Sequence, residues 1–256
     1  MSTELDILNN FASISLKEMD SVKLMDRTDT KFTFNRKQFD EVLKEVINEY
    51  SVLEVDGKRI SRYKTLYYDT VGYDLYTKHH NGELNRYKIR HRSYVESDIG
   101  FLEVKFKSNK GRTVKERIKK KDIPLAWQND TETFLQSLLP FDPQILKPVI
   151  WVNYSRLTLV NKKSAERLTI DLNLEFIQGE TKKSLPNLVI AEVKQEKRKG
   201  SPFLKVMKQL HIREGSISKY CLGIALTTDN RVKKNNFKAK IQTLKHIIYD
   251  DLVTNS

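Results

Sequence analysis

The chain has 256 residues, 39% of them hydrophobic, and a formal net charge of +13 from 46 Lys and Arg against 33 Asp and Glu. That length suits one large domain with enough apolar material for a core, and no apolar run approaches the roughly 20 residues that cross a bilayer. A lone cysteine, Cys221, excludes an internal disulfide, and Glu4 and Asp6 stand where a signal peptide would be basic and then apolar, so the expectation is a cytoplasmic protein whose partner is anionic: nucleic acid, anionic lipid or polyphosphate.

Leu5, Leu8, Phe11 and Ile14 have helical spacing and predict an amphipathic helix over 4–16. A strand follows over 28–34. Asn35 then caps a helix with an apolar stripe through Phe39, Val42, Leu43, Val46, Ile47 and Tyr50. Residues 59–69 read as strand and 70–76 as a turn into a short helix. Hairpin strands come next over 82–94, 100–107 and 112–118, joined by spacers such as Ser108-Asn109-Lys110-Gly111. A helix over 131–139 is bounded by Pro140 and Pro143. Strands resume over 148–160, 166–178 and 187–194. Ser201-Pro202 starts a helix with Phe203, Val206, Met207 and Leu210 as its buried stripe. The segment 218–226 is apolar enough to pack inside, and 231–252 reads as a lysine-rich amphipathic helix. No Gly- or Pro-rich linker divides the chain, so it reads as a single α+β domain over 1–256 with its core at about 26–226.

The strands share a pattern. Arg86, Lys88, Arg90 and Arg92 alternate with Tyr87, Ile89 and His91; Glu103, Lys105 and Lys107 alternate with Leu102, Val104 and Phe106. Arg167, Thr169, Asp171, Asn173 and Glu175 alternate with Leu168, Ile170, Leu172, Leu174 and Phe176. Period-two alternation gives each strand one polar and one apolar face. Either the charges face water around an apolar barrel, or the barrel is inverted, with helices on its apolar outside and charges lining a water-filled interior. Cations opposite one another repel unless an anion compensates, and the flanking amphipathic helices need an apolar surface to cover; the inverted reading is the one that meets both conditions. Its lining would hold Arg86, Lys88, Arg90, Arg92, Lys105, Lys107, Lys115, Arg117, Arg156, Arg167 and Lys194, with Glu103, Asp171, Glu175 and Glu192 as its acids. Guanidinium forks grip phosphate oxygens, and interspersed carboxylates suit a divalent metal such as Mg²⁺ or Mn²⁺. The mixture points to metal-assisted phosphoryl chemistry.

The ordered set Asp26-Arg27-Thr28-Asp29-Thr30-Lys31-Phe32, Thr65-Leu66-Tyr67-Tyr68-Asp69-Thr70, Lys88-Ile89-Arg90-His91-Arg92, Phe101-Leu102-Glu103-Val104-Lys105, Thr113-Val114-Lys115-Glu116-Arg117, Asn153-Tyr154-Ser155-Arg156, Arg167-Leu168-Thr169-Ile170-Asp171, Ala191-Glu192-Val193-Lys194 and Ser218-Lys219-Tyr220 resembles the catalytic domain of the vacuolar transporter chaperone family, the polyphosphate polymerases of the triphosphate tunnel metalloenzyme superfamily. The resemblance implies a closed antiparallel barrel of about eight strands forming a basic tunnel. It implies transfer of the γ-phosphate of ATP to growing inorganic polyphosphate with release of ADP. Lys31, Arg90, Arg92, Lys105, Lys115, Arg156 and Lys219 would then bind triphosphate and product, Tyr154 would donate a hydrogen bond to phosphate, and Glu192 would hold Mn²⁺ or Mg²⁺. Asp171 and Glu103 are further metal candidates, and Glu103, Arg117, Arg167 and Lys194 further substrate contacts. A membrane-protein partner receiving the polymer, and a place at the inner face of the membrane, are accompanying expectations.

The chain departs from the pattern at Arg27-Thr28-Asp29-Thr30-Lys31, which keeps one acid and the lysine of the superfamily's Glu-x-Glu-x-Lys, and at Ser216, where the family has a second exit lysine. The alternatives are a triphosphatase of the same fold and a non-catalytic binder of polyphosphate or nucleic acid; aromatics out of phase with the cations count against specific nucleic-acid binding. Cys221, His91, Trp127 and Trp151 read as packing residues. His79 and His80 read as solvated, as do Lys119-Lys120-Lys121, Lys162-Lys163 and the lysines of 231–245, for which docking on an anionic membrane is the alternative. Asp171 and Glu175 have a second reading as salt-bridge partners of arginines, and Lys194 as the partner of Glu192.

Overall fold

The computed structural model describes residues 4–21, 28–196, 200–215 and 217–249. In chain order the first half comprises α1 (Glu4–Asn9), β1 (Ser13–Ile14), α2 (Leu16–Ser21), β2 (Thr28–Asn35), α3 (Arg36–Val46), β3 (Tyr50–Leu53), β4 (Ile60–Asp69), α4 (Asp74–His80), β5 (Arg86–Tyr94), β6 (Ile99–Lys107) and β7 (Thr113–Lys119). There follow α5 (Asn129–Gln136), β8 (Lys147–Asn161), β9 (Glu166–Gln178), β10 (Thr181–Leu185), β11 (Leu188–Gln195), α6 (Pro202–Gln209), α7 (Lys219–Thr227) and α8 (Lys238–Tyr249).

Local chemistry explains most boundaries. Asn35 Oδ1 accepts the Gln38 N–H at 2.9 Å while Gln38 Oε1 accepts the Asn35 N–H at 3.1 Å, a reciprocal cap that starts α3. The expected 4–16 helix is instead two short helices. Val52 donates to the Ala12 carbonyl and Glu54 to that of Ile14, drawing this segment alongside β3, and Ser15 with Glu18 forms a second reciprocal cap that begins α2. Tyr50, read as the end of the α3 stripe, belongs to β3. The last helix starts at Lys238 rather than 231, because the preceding residues cross α4: Asn236 donates to the His80 carbonyl at 3.0 Å and to His80 Nε2 at 3.2 Å. The end of that expected helix, 250–252, lies outside the described residues.

All eleven strands belong to one sheet, with a continuous path β2-β11-β9-β8-β4-β5-β6-β7 and β1, β3 and β10 attached beside it. The path is antiparallel throughout. The charges face inward. On the outer face Phe34, Leu159, Leu168, Ile170, Val189 and Val193 pack with Phe39 and Leu43 of α3 and Phe203 and Met207 of α6. Leu66, Tyr68, Ile89, Leu102 and Val104 pack with Trp127 and with Leu135 of α5. The helices therefore cover the apolar outside, as the inverted reading requires.

Two expectations are corrected. Among the described residues the barrel is not closed, and it has eleven strands where about eight were expected; eight lie on the main path. The free edge of β2 is taken by a strap, in which Phe32 bridges to Glu214 and the Gly215 N–H donates to the Lys31 carbonyl at 2.8 Å. That leaves β7 as the far edge of the path, carrying the exposed cations Arg117 and Lys119, a usual guard of an open edge.

The interior is also only half polar. In β9 the pairing with β8 slips between Ser155↔Leu172 and Asn153↔Glu175, and Asn173 takes up the extra residue with a left-handed φ of 53°. Leu168, Ile170 and Leu172 face outward before the slip, whereas Leu174 and Phe176 face inward after it. Glu175 is thereby turned out of the lining, where it meets Lys182 at 2.6 Å and Asn153 at 3.1 Å. With Ile150, Val152 and Ile190, these residues make an apolar bed on which α7 lies. The apolar 218–226 segment is thus an internal helix, capped by Ser218. Gly223 allows its close approach, since a Cβ there would stand 2.6 Å from Phe176 and 2.8 Å from Ile150.

Candidate functional site

Above the α7 bed the concave face is charged. A cavity of about 1340 Å³ opens there between the β5–β7 strands on one side and α7 and α8 on the other, with Asp29 and Lys31 of β2 at its border. Register fixes its basic wall. Lys88 stands directly opposite Lys105, and Lys105 directly opposite Lys115. Arg86 and Lys107 form the next row outward. Like charges set side by side on neighbouring strands oppose pairing. Burial first, then Lys88, Arg90 and Lys31, push the Lys105 ammonium below its ordinary range; burial does the same to Lys88. Lys115 is pushed down to about 8 by burial, with Glu103 partly opposing the shift.

Deeper in the concave face, on β6 and on β8, β9 and β11, the charges are compensated. Glu103, 1% exposed, accepts from Arg90 Nε at 2.7 Å and pairs with Lys115. Burial pushes its carboxyl up, but Arg90, Arg92 and Lys115 outweigh this and bring it down to about 2. Arg156 grips Asp171 through two bonds of 2.6 and 2.9 Å, and Lys219 reaches the same carboxylate from the first turn of α7. Glu192 meets Lys31 at 3.0 Å and also pairs with Lys194. Burial raises the Glu192 carboxyl, yet the two lysines overcome it and hold it well below the usual carboxylate range.

Aromatic rings sit among these cations, contrary to the expected phase. Arg92 lies over the rings of Tyr63 and Tyr154 at 5.5 and 6.0 Å, Arg156 over the same two at 5.1 and 5.3 Å, and Lys219 over Tyr154 at 4.8 Å. Tyr63 and Tyr154 are stacked at 5.1 Å. The rings line the floor as parts of the wall. Two buried donors here, the Tyr154 hydroxyl and Arg92 Nε, have no hydrogen-bond partner among the described residues. Leaving such a group unpaired costs about 1–3 kcal/mol, which a ligand oxygen would recover.

The structure brings together most of the expected residues and separates a few. Lys31, Lys105 and Lys115 border the cavity; Arg90, Arg92, Tyr154, Arg156, Glu192 and Lys219 form or reach the inward face below it. Arg117 instead lies over Phe101 at 4.4 Å, and Arg167 stands across from Lys194 at the far end of β11. Lys194 is the partner of Glu192. His80 is buried and His79 half-buried against the cavity, so neither is solvated. Cys221, His91 and Trp127 are buried, as expected, though Cys221 also borders the cavity. Arg112, Phe237 and Lys240 were not expected: they lie in a loop, in the turn before α8 and in α8 itself, where strand alternation gives no signal. Ser216 lies outside the described residues.

Among the described residues no three His, Cys, Asp or Glu side chains gather as a closed metal cage. The donor set nonetheless fits a hard divalent ion that arrives with a phosphate ligand. Such ions keep water and take one or two carboxylates plus substrate oxygens, and Glu192, on the inward face with its side chain 20% exposed, has acceptor sites left beyond its two lysines.

The family model described as VTC domain matches residues 26–228. No curated protein matches the chain. Among solved structures, a putative adenylate cyclase from Bacillus halodurans is similar at 13% identity and a TM-score of 0.48, covering 76% of this chain and 96% of its own. A putative adenylyl cyclase from Hippeastrum, described as having a dominant triphosphatase activity, is similar at 10% identity and a TM-score of 0.49, with 80% and 99% covered. A conserved hypothetical protein from Pyrococcus furiosus is similar at 13% identity and a TM-score of 0.43, with 78% and 100% covered.

Proposed function

We propose a function from one premise: this chain belongs to the VTC domain family. The function is metal-dependent transfer of the γ-phosphate of ATP onto the end of an inorganic polyphosphate chain, with release of ADP. The observation that carries it is the lysine row Lys88, Lys105 and Lys115, three cations in register on adjacent strands and facing one cavity. Such a row is unfavourable alone and favourable around a polyanion.

Phosphoryl transfer asks little covalent chemistry of the protein; positioning and charge stabilisation dominate. The lysine row would hold the nucleotide's phosphates, while Arg92 Nε and the Tyr154 hydroxyl donate to oxygens that reach the floor. Arg90 and Arg156, fixed by Glu103 and Asp171, add positive potential in a place that needs no rearrangement during reaction. The terminal oxygen of the acceptor chain is already anionic and attacks the γ-phosphorus without a general base. The bond from the γ-phosphorus to the bridging oxygen breaks, and its electron pair leaves on ADP. Glu192 would hold Mn²⁺ or Mg²⁺, which supplies Lewis-acid neutralisation of phosphate oxygens when bound.

The test is incubation of the purified protein with ATP and Mn²⁺. Long polymer degraded by an exopolyphosphatase supports the reading. Release of inorganic phosphate alone would replace it with a triphosphatase, and no turnover would remove the enzyme. Glu192→Ala should abolish polymer formation; a passive anion binder would keep or gain affinity.

A further inference from the structure

The cavity is two-sided in chemistry. Its β5–β7 wall is basic, whereas the opposing wall carries an apolar stretch, Leu222 and Ala225 of α7, Ile241 of α8 and Phe237 just before α8, beside Ser218 and Lys240. An inorganic polyphosphate is charged along its whole length and gains nothing from an apolar wall. A nucleoside triphosphate has one flat, weakly polar end and one polyanionic end, which matches the division.

The apolar wall has a built aromatic corner. Phe237 is held edge-on by His80 at 5.1 Å and an interplanar angle of 88°, and by Tyr76 at 6.0 Å, while remaining partly open to the cavity. His79, at 6.4 Å from the Phe237 ring, also borders the cavity, and its Nδ1 is buried with no hydrogen-bond partner among the described residues. Burial first, then Lys88, Arg86, Lys107 and Lys240, push His79 down to about 3, so its imidazole is neutral. Of these cations, Lys88, Arg86 and Lys107 belong to the β5–β7 wall and place the corner beside it. Phe237 lies beyond residue 228, where the family match ends.

We propose that Phe237 and His79 form the nucleobase subsite of the cavity, with the base stacked on the Phe237 ring and hydrogen-bonded by His79 Nδ1. This rests on the proposed use of ATP and adds to it which two side chains hold the base and select ATP over inorganic triphosphate.

Calorimetric binding of ATP and of inorganic triphosphate separates the two readings. Wild type should bind ATP more tightly than inorganic triphosphate. Phe237→Ala should weaken ATP about tenfold, the scale of one base–aromatic stack, and leave inorganic triphosphate unchanged. Phe237→Tyr, which keeps a ring, should retain ATP affinity, and His79→Ala should lose a smaller factor for ATP alone. Fluorescence of 2-aminopurine riboside triphosphate should be quenched on binding to wild type, a readout that needs no variant to fold. Equal weakening of both ligands, no weakening of either, or unquenched fluorescence in the bound state would overturn the subsite while leaving the phosphate site intact. Failure of wild type to bind either polyanion would overturn the phosphate site, and the subsite with it.

Discussion

Lys219, in the first turn of α7, pairs with Asp171 of β9, the carboxylate that Arg156 of β8 already grips with two bonds. One buried acid thus fastens the internal helix to the sheet and holds two cations of the site. Asp171→Ala leaves both cations buried without a counter-charge, and breaking a buried pair in this way costs about 3–5 kcal/mol. The expected result is a lower urea midpoint by that measure. Lys219→Met, which keeps the stem and leaves the Arg156 pair, should lose clearly less.

Tyr154→Phe should split stability from binding. Removing a buried hydroxyl that has no partner leaves stability unchanged or raises it, by up to about 1–3 kcal/mol. On the proposed function, affinity for triphosphate should fall, because one donor to its oxygens is removed. Parallel loss of stability and affinity would mean that the hydroxyl is a structural group.

Two pH dependences follow from the lysine row and its acid. Lys115 is depressed to about 8, so its positive charge is present below that pH and lost above it. Triphosphate affinity should fall as pH rises through about 8, and Lys115→Arg should move the step upward. Glu103 behaves oppositely: its folded carboxyl is brought from 4.5 down to about 2, so its stabilisation is complete above 4.5 and lost as pH falls from there to about 2. The amount is on the order of 3 kcal/mol. Acid titration of the denaturation midpoint should show this loss in wild type and not in Glu103→Gln.

Gly223→Ala sets two effects against each other. Alanine gains about 1 kcal/mol of helix propensity over glycine, but its Cβ would meet Phe176 at 2.6 Å and Ile150 at 2.8 Å. Overpacking of this kind costs about 1–3 kcal/mol, so the net change should be a loss, larger for Gly223→Val. Thiol-reagent labelling of Cys221, now 2% exposed, should accelerate as α7 lifts from its bed.

The strands and the direction of their charges were legible because period-two alternation and the need of amphipathic helices for a covering surface are both written in composition and spacing. The lysine row was legible residue by residue, whereas its side-by-side register depends on which hairpins form. Three features were hidden. The strap at Glu214 and Gly215 that takes the β2 edge has no periodic signal. The place of Tyr63 among the cations was obscured because its own strand, β4, carries no cation on that face and the cations come from neighbouring strands. The Phe237 and His79 corner joins residues far apart in sequence, from a turn and a helix end. The second helix start at Ser15 and Glu18 was available as a capping pattern and was masked by the longer apolar stripe.

Asn173 makes β9 behave as two strands spliced out of step. What lies beyond it is assigned to the interior or the exterior by a count of backbone units and not by the kind of side chain. The boundary between ligand chamber and packed core is therefore a matter of parity. A related chain with the same alternation but no such splice would send Glu175 inward and Leu174 and Phe176 outward, and its internal helix would have no bed. Chamber depth in this architecture can thus change by a single residue, with no change in the number of charges.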